Sequence, residues 1–460
     1  MGSANAAWLA RPDRLFLVAG LVSGLVLALV TPPFQTPDEP AHFFHAYAVS
    51  EGRLHALHAG GRIGDVLPAS LERVAVGAVD GVPFFPERKV DRQKIAALRQ
   101  VPLEPERRLF LDFPGSAQSS FVPYLPQAAG ILAGRLAGVR PLALLTCARL
   151  ANLVVSTLLI VLAVRQTPAF RWLTATAASL PMSVFLRASA SADALTIAVA
   201  YLLVATAAKL AWGEEGEIRR WDGPLLLAVS IAGCLVKPVY FPLVLLALTI
   251  PRRRFPAGRR AFSLVVLFAL CGLAAAYALR LGGAMDIILR PDVSVDPAHQ
   301  MHDVLTGPLR FAWIAGVDYV VHLPLYGFQM VGNLGWLDVP LPKVFVFACV
   351  VLLAALLLVD ASARIRLEPW HRLVLAAALL PIFGMISGSQ YVVWTPYRAD
   401  FIDGIQGRYF LPILTAGAWL LHARRFGGKV DDARLGLWFA LGSAVSLAVS
   451  AISLAMRYYG

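Results

Sequence analysis

Two adjacent carboxylates, Asp38 and Glu39, are the residues of this 460-residue sequence best suited to chemistry. They lie in segment 36–42, directly after the first apolar run. A carboxylate pair at a membrane face is costly to desolvate, so it needs a cationic partner, a metal or a catalytic task. Repulsion between the neighbours favours proton uptake by one of them, and a nearby lysine or arginine would oppose that effect. The alternative is a solvated acidic turn that begins a helix at Ala41.

Cationic and aromatic residues further along the chain predict a site for an anion. Lys237 lies between two apolar runs, where a lone lysine is excluded unless it meets an anion or snorkels to the interface. Arg408 has a planar donor fork that suits phosphate, although interfacial anchoring beside Tyr409 is the alternative. We therefore predict that Lys237, Arg408 and Tyr409 bind a phosphate, with Gln406 as an accessory residue.

Arg187 and Asp193 bracket a short loop in the sequence. We expect them to pair with each other, and a substrate role for either is the alternative.

Histidines at spacings of three could share one helical face and hold a divalent metal. Interfacial helices also carry such histidines without a metal, and His42 is retained as an accessory or acceptor-binding residue. The histidines concerned are His42, His45, His55 and His58. The sequence has no HExxH motif, Walker loop, dinucleotide-binding glycine pattern or Gly-x-Ser-x-Gly elbow, so protease, ATPase and hydrolase functions have no local support.

The composition places these residues in a membrane protein. The chain is 58% hydrophobic and 15% charged, its mean hydropathy is +0.66, and these values lie outside the range of soluble globular proteins. Apolar runs long enough to cross a bilayer recur along the chain. The net charge of +12 comes from basic clusters in short loops between these runs, which is typical of cytoplasmic loops and not of a nucleic-acid surface.

The basic clusters predict the orientation of the chain. A retained N-terminal anchor with a cytoplasmic N-terminus brings 31–142 outside, and 282–340 and 389–407 form two further extracytoplasmic regions. Segment 123–138 is predicted to be re-entrant or interfacial, and 41–58 to be an amphipathic juxtamembrane helix. About eleven spans then leave the C-terminus outside: 15–30, 143–164, 169–186, 193–212, 223–236, 238–250, 261–281, 341–359, 372–388, 408–422 and 435–456.

Several short motifs together resemble a family of bacterial membrane proteins of unknown function that is grouped with the GT-C class of glycosyltransferases. The motifs span most of the chain and comprise Thr-Pro-Asp-Glu-Pro-Ala-His-Phe from 36, Ser-Glu-Gly-Arg from 50, Pro-Tyr-Leu-Pro-Gln from 123, Ala-Arg-Leu-Ala-Asn from 148, the loop 191–195, Lys-Pro-Val-Tyr from 237, Gly-Trp-Leu-Asp from 335 and Gln-Gly-Arg-Tyr-Phe from 406. This resemblance implies an all-α, GT-C-like bundle with an acidic residue in the first outside loop and a cavity open to the outer leaflet.

The resemblance also implies the reaction that these residues would carry out in a bacterial inner membrane. A sugar would leave a polyprenyl-phosphate or polyprenyl-diphosphate carrier for an extracytoplasmic glycan or saccharide acceptor. Asp38 would be the general base, and Glu39 would position the acceptor or hold a cation. A flippase for a lipid-linked saccharide and a non-catalytic subunit of a polysaccharide assembly machine are the alternatives.

Overall fold

The computed structural model describes residues 7–255, 258–282, 290 and 293–460. The fold is mostly helical, with 69% of the residues in helices and little sheet. Parts of the predicted extracytoplasmic region 282–340, namely 283–289 and 291–292, lie outside the described residues.

The structure contains α-helices along the whole described chain. In chain order they are α1 Pro12–Val30, α2 Glu39–Ser50, α3 Ala69–Val79, α4 Arg92–Leu98, α5 Pro114–Ala117, α6 Leu125–Leu136, α7 Pro141–Gln166, α8 Arg171–Ala178, α9 Pro181–Arg187, α10 Asp193–Trp212, α11 Asp222–Val236, α12 Arg260–Gly282, α13 Pro297–Thr306, α14 Pro308–Gly332, α15 Lys343–Val359, α16 Pro369–Val393, α17 Leu414–Leu420 and α18 Asp432–Tyr459. Five 3₁₀ helices are described as well, Val122–Tyr124, Glu215–Glu217, Pro238–Thr249, Arg252–Arg254 and Gly407–Ile413.

Six helices of the described chain are long and apolar enough to cross a membrane: α1, α7, α10, α12, α16 and α18. A seventh span is added if α13 and α14, which meet at a bend of 104°, count as one. The helices α11 and α15 and the 3₁₀ helix Pro238–Thr249 are apolar but shorter. The predicted membrane fold is therefore confirmed at this level, while the count of eleven spans stays a prediction.

Polar contacts gather at two opposite ends of the long helices. At one end, Arg165 at the end of α7 donates to Asp13 at the start of α1, and Trp172 in α8 donates to Asp432 at the start of α18. The other end carries Asp38, and we call it the Asp38 end. There Arg457, near the end of α18, donates to Asp338.

The first long loop carries a small sheet that sequence reasoning missed. Strand β1 (Leu57–Ala59) pairs antiparallel with β2 (Arg62–Pro68), which pairs antiparallel with β3 (Arg108–Asp112). A two-stranded pair, β4 (Asn333–Leu334) and β5 (Val339–Pro340), lies in the second region. The expected all-α fold is thus corrected to a mostly helical one with two small sheets.

The predicted juxtamembrane helix 41–58 is also shorter than expected. Helix α2 ends at Ser50, and Gly52 adopts φ of 83°, a left-handed conformation that ends helices. Its aromatic residues Phe43 and Tyr47 are buried in the protein core, so this helix does not lay them on lipid. The helix packs on α6, which itself lies against α7.

Candidate functional site

Asp38 begins the site at the N-terminus of α2. It adopts a left-handed backbone conformation with φ of 60°, which is uncommon for a residue with a side chain. The side chain remains 53% exposed, and its Oδ2 accepts from Nη2 of Arg408 at 3.1 Å. The chain therefore presents one carboxylate to the surroundings and fixes it by a single ion pair.

We call the group of Asp38, Asp193, Lys237 and Arg408 the ionic cluster. Arg408 is its buried centre. Its side chain is 5% exposed, and its Nε lies 3.6 Å from Oδ2 of Asp193. Neither Nε nor Nη1 has a hydrogen-bond partner in the structure as described. A buried guanidinium with two nitrogens that make no hydrogen bond retains donors for an anion.

Close packing of Gly407 brings the Arg408 backbone to its place. A side chain at 407 would collide with the carbonyl oxygen of Tyr326 in α14. The Gly407 N–H donates to Oε1 of Gln329 at 3.0 Å, which holds this segment against the same helix. Position 407 therefore requires glycine because α14 and the 3₁₀ helix approach so closely.

Lys237 completes the cluster from the junction between α11 and the next 3₁₀ helix. Pro238 cannot continue the hydrogen bonding of α11, so the helix ends and Lys237 adopts an extended backbone. Its Nζ lies 3.1 Å from Oδ1 of Asp193 and 4.6 Å from the ring centroid of Tyr409. Lys237 and Arg408 therefore meet on the two oxygens of one carboxylate.

The predicted residue Tyr409 is held by its backbone. Its carbonyl oxygen accepts from the hydroxyl of Tyr240 at 2.8 Å, which leaves its ring beside both cations. Gln406 precedes this segment, and its carbonyl accepts from the Tyr409 N–H at 3.0 Å. The side-chain oxygen of Gln406 is buried without a hydrogen bond.

His42 lies one turn after Asp38 on α2 and is held from behind by a buried phenol. Its Nδ1 is 2.9 Å from the hydroxyl of Tyr124, and the ring of Tyr124 also packs on His45 at 4.1 Å. Burial lowers the pKa of His42, although the charges of Asp38 and Asp193 oppose this change. The pKa of His45 falls to about 4 because this ring is buried as well. Both imidazoles are therefore uncharged at neutral pH.

Glu39 faces away from Asp38 and makes a closed ion pair with Arg149. The carboxylate is fully buried and accepts from Nε and Nη2 of Arg149 at 2.8 and 2.6 Å. It also accepts from the Ala190 N–H at 3.0 Å, and Arg149 donates further to three backbone carbonyls. Each of the adjacent carboxylates thus has its own arginine, which opposes the mutual repulsion expected from the sequence.

The expected pair between Arg187 and Asp193 is wrong. Arg187 points into the bundle, where it donates to Oγ1 of Thr157 at 2.7 Å and to the carbonyl of Ala178 at 2.9 Å. Asp193 instead binds Lys237 and faces Arg408. Asp193 is therefore a central member of the cluster, and Arg187 is not.

The four histidines do not share one helical face either. His55 and His58 lie beyond the end of α2, and the Nε2 of His55 contacts the Tyr277 hydroxyl at 2.8 Å. Among the residues described, no group of three or more His, Cys, Asp or Glu side chains is placed to hold a metal ion.

Two tyrosines of the site were not predicted as functional residues from the sequence. Tyr124 lies in the Pro-Tyr-Leu-Pro-Gln motif and Tyr240 follows the Lys-Pro pair, so their motifs carried the only signal. Their partners come from distant parts of the chain, which a local pattern does not reveal.

The long apolar helices and the buried ionic cluster at one end define a membrane protein with several transmembrane helices. A family model described as "Predicted membrane protein (DUF2142)" matches residues 21–416. The chain belongs to this family, whose matched region includes every member of the cluster. Comparisons with curated proteins and with solved structures gave no significant match.

Proposed function

We propose that the protein is a glycosyltransferase that moves a sugar from a polyprenyl-phosphate carrier to an extracytoplasmic acceptor. The observation that carries this proposal is the buried Arg408, with two unbonded nitrogens, between Lys237 and the half-exposed Asp38. Such a cluster offers bound cations for a phosphate and a carboxylate for a hydroxyl proton. A nucleotide site is not required.

The cationic part of the cluster suits the leaving group. Lys237 and Arg408 share Asp193, and Arg408 also pairs with Asp38, so the four charges balance and what the cluster offers a phosphate is the unbonded nitrogens of Arg408. The guanidinium fork binds phosphate oxygens in a planar geometry, whereas lysine acts as a point charge. The Tyr409 ring centroid lies 4.6 Å from Nζ of Lys237 and 5.6 Å from the guanidinium carbon of Arg408, so the ring contacts both cations.

The acidic part of the cluster suits the acceptor. Asp38 takes the proton of an acceptor hydroxyl as that oxygen bonds to the anomeric carbon. The bond between this carbon and the phosphate oxygen breaks, and its electron pair stays on the lipid phosphate. Arg408 and Lys237 stabilise the resulting charge. Glu39 serves this step indirectly, because its pair with Arg149 anchors the helix that carries Asp38.

The proposal includes an orientation with eleven spans and the Asp38 end outside the inner membrane. Broken helices such as α8 with α9, and Gly407–Ile413 with α17, then count as spans. Reporter fusions after residues 60, 300 and 400 should read outside. Fusions after 168, 215, 256, 365 and 428 should read inside, and an outside signal at 168 together with one at 60 would contradict the orientation.

A flippase for a lipid-linked saccharide would use the same cations without a base. The half-exposed carboxylate of Asp38 favours transfer, since carriage alone has no use for a proton acceptor. Purified protein incubated with polyprenyl-phosphate sugars should release the polyprenyl phosphate only when an acceptor is present. Mass spectrometry of the lipid-linked sugars that accumulate in a deletion strain identifies the donor. A wild-type protein that moves the lipid between leaflets but transfers no sugar would contradict the proposal.

A further inference from the structure

We propose that His42 donates the hydrogen on its Nε2 to the phosphate held by Arg408 and Lys237, and that Tyr124 fixes the imidazole in this tautomer. The inference deepens the proposed function and rests on it. It adds an uncharged donor to the two cations and separates that role from proton abstraction by Asp38.

The hydrogen bond between His42 and Tyr124 fixes the tautomer. The Tyr124 side chain is fully buried, so its hydroxyl proton needs an acceptor. His42 Nδ1 lies 2.9 Å from the phenol oxygen, and an Nδ1 that accepts this proton leaves the hydrogen of the neutral ring on Nε2.

The His42 imidazole lies close enough to the ionic cluster for the charges of the cluster to act on it. The charged groups that act on this imidazole are Asp38, Asp193, Arg408 and Lys237, the four members of the cluster. The two carboxylates favour protonation and the two cations disfavour it, while burial is the largest influence and disfavours it too. The ring therefore meets the cluster as an uncharged donor.

Helix geometry places this donor beside the proposed base. The His42 N–H donates to the Asp38 carbonyl at 3.0 Å in the first turn of α2. This bond closes the turn at the start of the helix and keeps His42 within one turn of Asp38, whose charge acts on the imidazole. His45, whose Nδ1 lies 3.0 Å from the Ser116 carbonyl, packs on Tyr124 and supports it from the far side.

A neutral donor fits the leaving phosphate better than a third cation would. A protonated His42 beside Arg408 and Lys237 would add like-charge repulsion before the substrate arrives. A fixed N–H group instead stabilises the charge that develops as the sugar leaves, at no cost of reorganisation. The site would then recognise a phosphate monoester or diester at the headgroup of a lipid.

Imidazole nitrogen NMR of the protein in nanodiscs tests the tautomer directly. The His42 signal is assigned by its loss in His42→Gln, and we expect the Nε2–H tautomer in the free protein. Undecaprenyl phosphate should shift the Nε2–H resonance, whereas undecaprenol should not. Tyr124→Phe should give a mixture of tautomers. An Nδ1–H tautomer in the wild type, or no response to the phosphate lipid, would overturn the inference.

Binding of undecaprenyl phosphate supplies the second measurement. His42→Phe should weaken binding by roughly tenfold or more, since hydrogen bonds to charged groups are the strong ones. His42→Gln, which keeps an N–H near the Nε2 position, should recover most of the affinity. His55→Phe is the matched control. His55 is exposed, and its Nε2 lies 2.8 Å from the Tyr277 hydroxyl, outside the ionic cluster. This variant should bind undecaprenyl phosphate like the wild type.

The outcomes separate this inference from the proposed function. Wild-type affinity in His42→Phe, with a clear loss in Arg408→Ala, would overturn the role of His42 and leave the cationic phosphate site standing. Equal binding of undecaprenyl phosphate and undecaprenol by the wild type would overturn both.

Discussion

Two neighbouring acids meet two arginines, and the two ion pairs differ in how much bonding capacity they leave free. Arg149 donates to Glu39 through two nitrogens and to three carbonyls, and the whole pair is buried. Arg408 is equally buried but makes a single hydrogen bond to Asp38 and leaves two nitrogens unbonded. A saturated pair stabilises the fold, whereas an unsaturated one is prepared for a ligand.

Asp38→Asn should show the largest effect on transfer. Removing a positioned general base typically lowers the rate by about 10² to 10⁴. Expression, thermal stability and binding of undecaprenyl phosphate should remain close to wild type, because this side chain is half exposed. Sugar transfer by the purified variant is the measurement. Wild-type activity would rule out this base and favour the flippase.

Glu39→Ala should instead damage the fold. It leaves Arg149 buried without its counter-ion, and breaking a buried pair in this way costs about 3 to 5 kcal/mol. We expect little folded protein by size-exclusion chromatography in detergent. Glu39→Gln, which keeps the shape and accepts hydrogen bonds through one oxygen, should fold better and retain transfer in proportion to the folded fraction. A well-folded but inactive Glu39→Gln would give Glu39 a direct role and break the comparison.

Replacing each arginine by lysine should affect ligand binding in one case and stability in the other. Arg408→Lys loses the donor fork, so its affinity for undecaprenyl phosphate should fall by roughly tenfold while the protein stays folded. Arg149→Lys should lower the melting temperature and leave the affinity of the folded fraction unchanged. Reduced affinity in Arg149→Lys, or a destabilised Arg408→Lys with normal affinity, would reverse the assignment of the two pairs.

The smallest effect should be the loss of stability at acid pH that comes from His45 in α2. His45 has a folded-state pKa of about 4, below its usual value of 6.5, because it is buried. The unfolded chain therefore takes up a proton first, so this contribution to stability is complete above pH 6.5 and is lost as the pH falls toward 4. In His45→Asn, which retains a donor for the Ser116 carbonyl, melting temperatures between pH 4 and 7 should vary less than in the wild type.

The membrane fold and most residues of the candidate site were predicted from the sequence. Helix α7 was predicted as 143–164 and runs from 141 to 166, since apolar length alone defines such helices. The strands β2 and β3 were missed because their residues pair across about forty positions and no hairpin turn joins them. Proximity in the sequence also predicted Arg187 as the partner of Asp193. In the structure the Arg187 side chain packs inside the bundle and donates to Thr157.

The last helix links the candidate site to the order in which the chain is made. Arg457 in α18 donates to the carbonyls of Val82, Phe85 and Arg88 in the first long loop. Asp38 and its partner Arg408 are likewise far apart, 370 positions along the chain. During synthesis Asp38 therefore leaves the ribosome long before Arg408, and the contacts between Arg457 and the first loop form only after α18 has been made. The ionic cluster can therefore form only after the segment around Arg408 has been made and inserted, and not when the first helices enter the membrane.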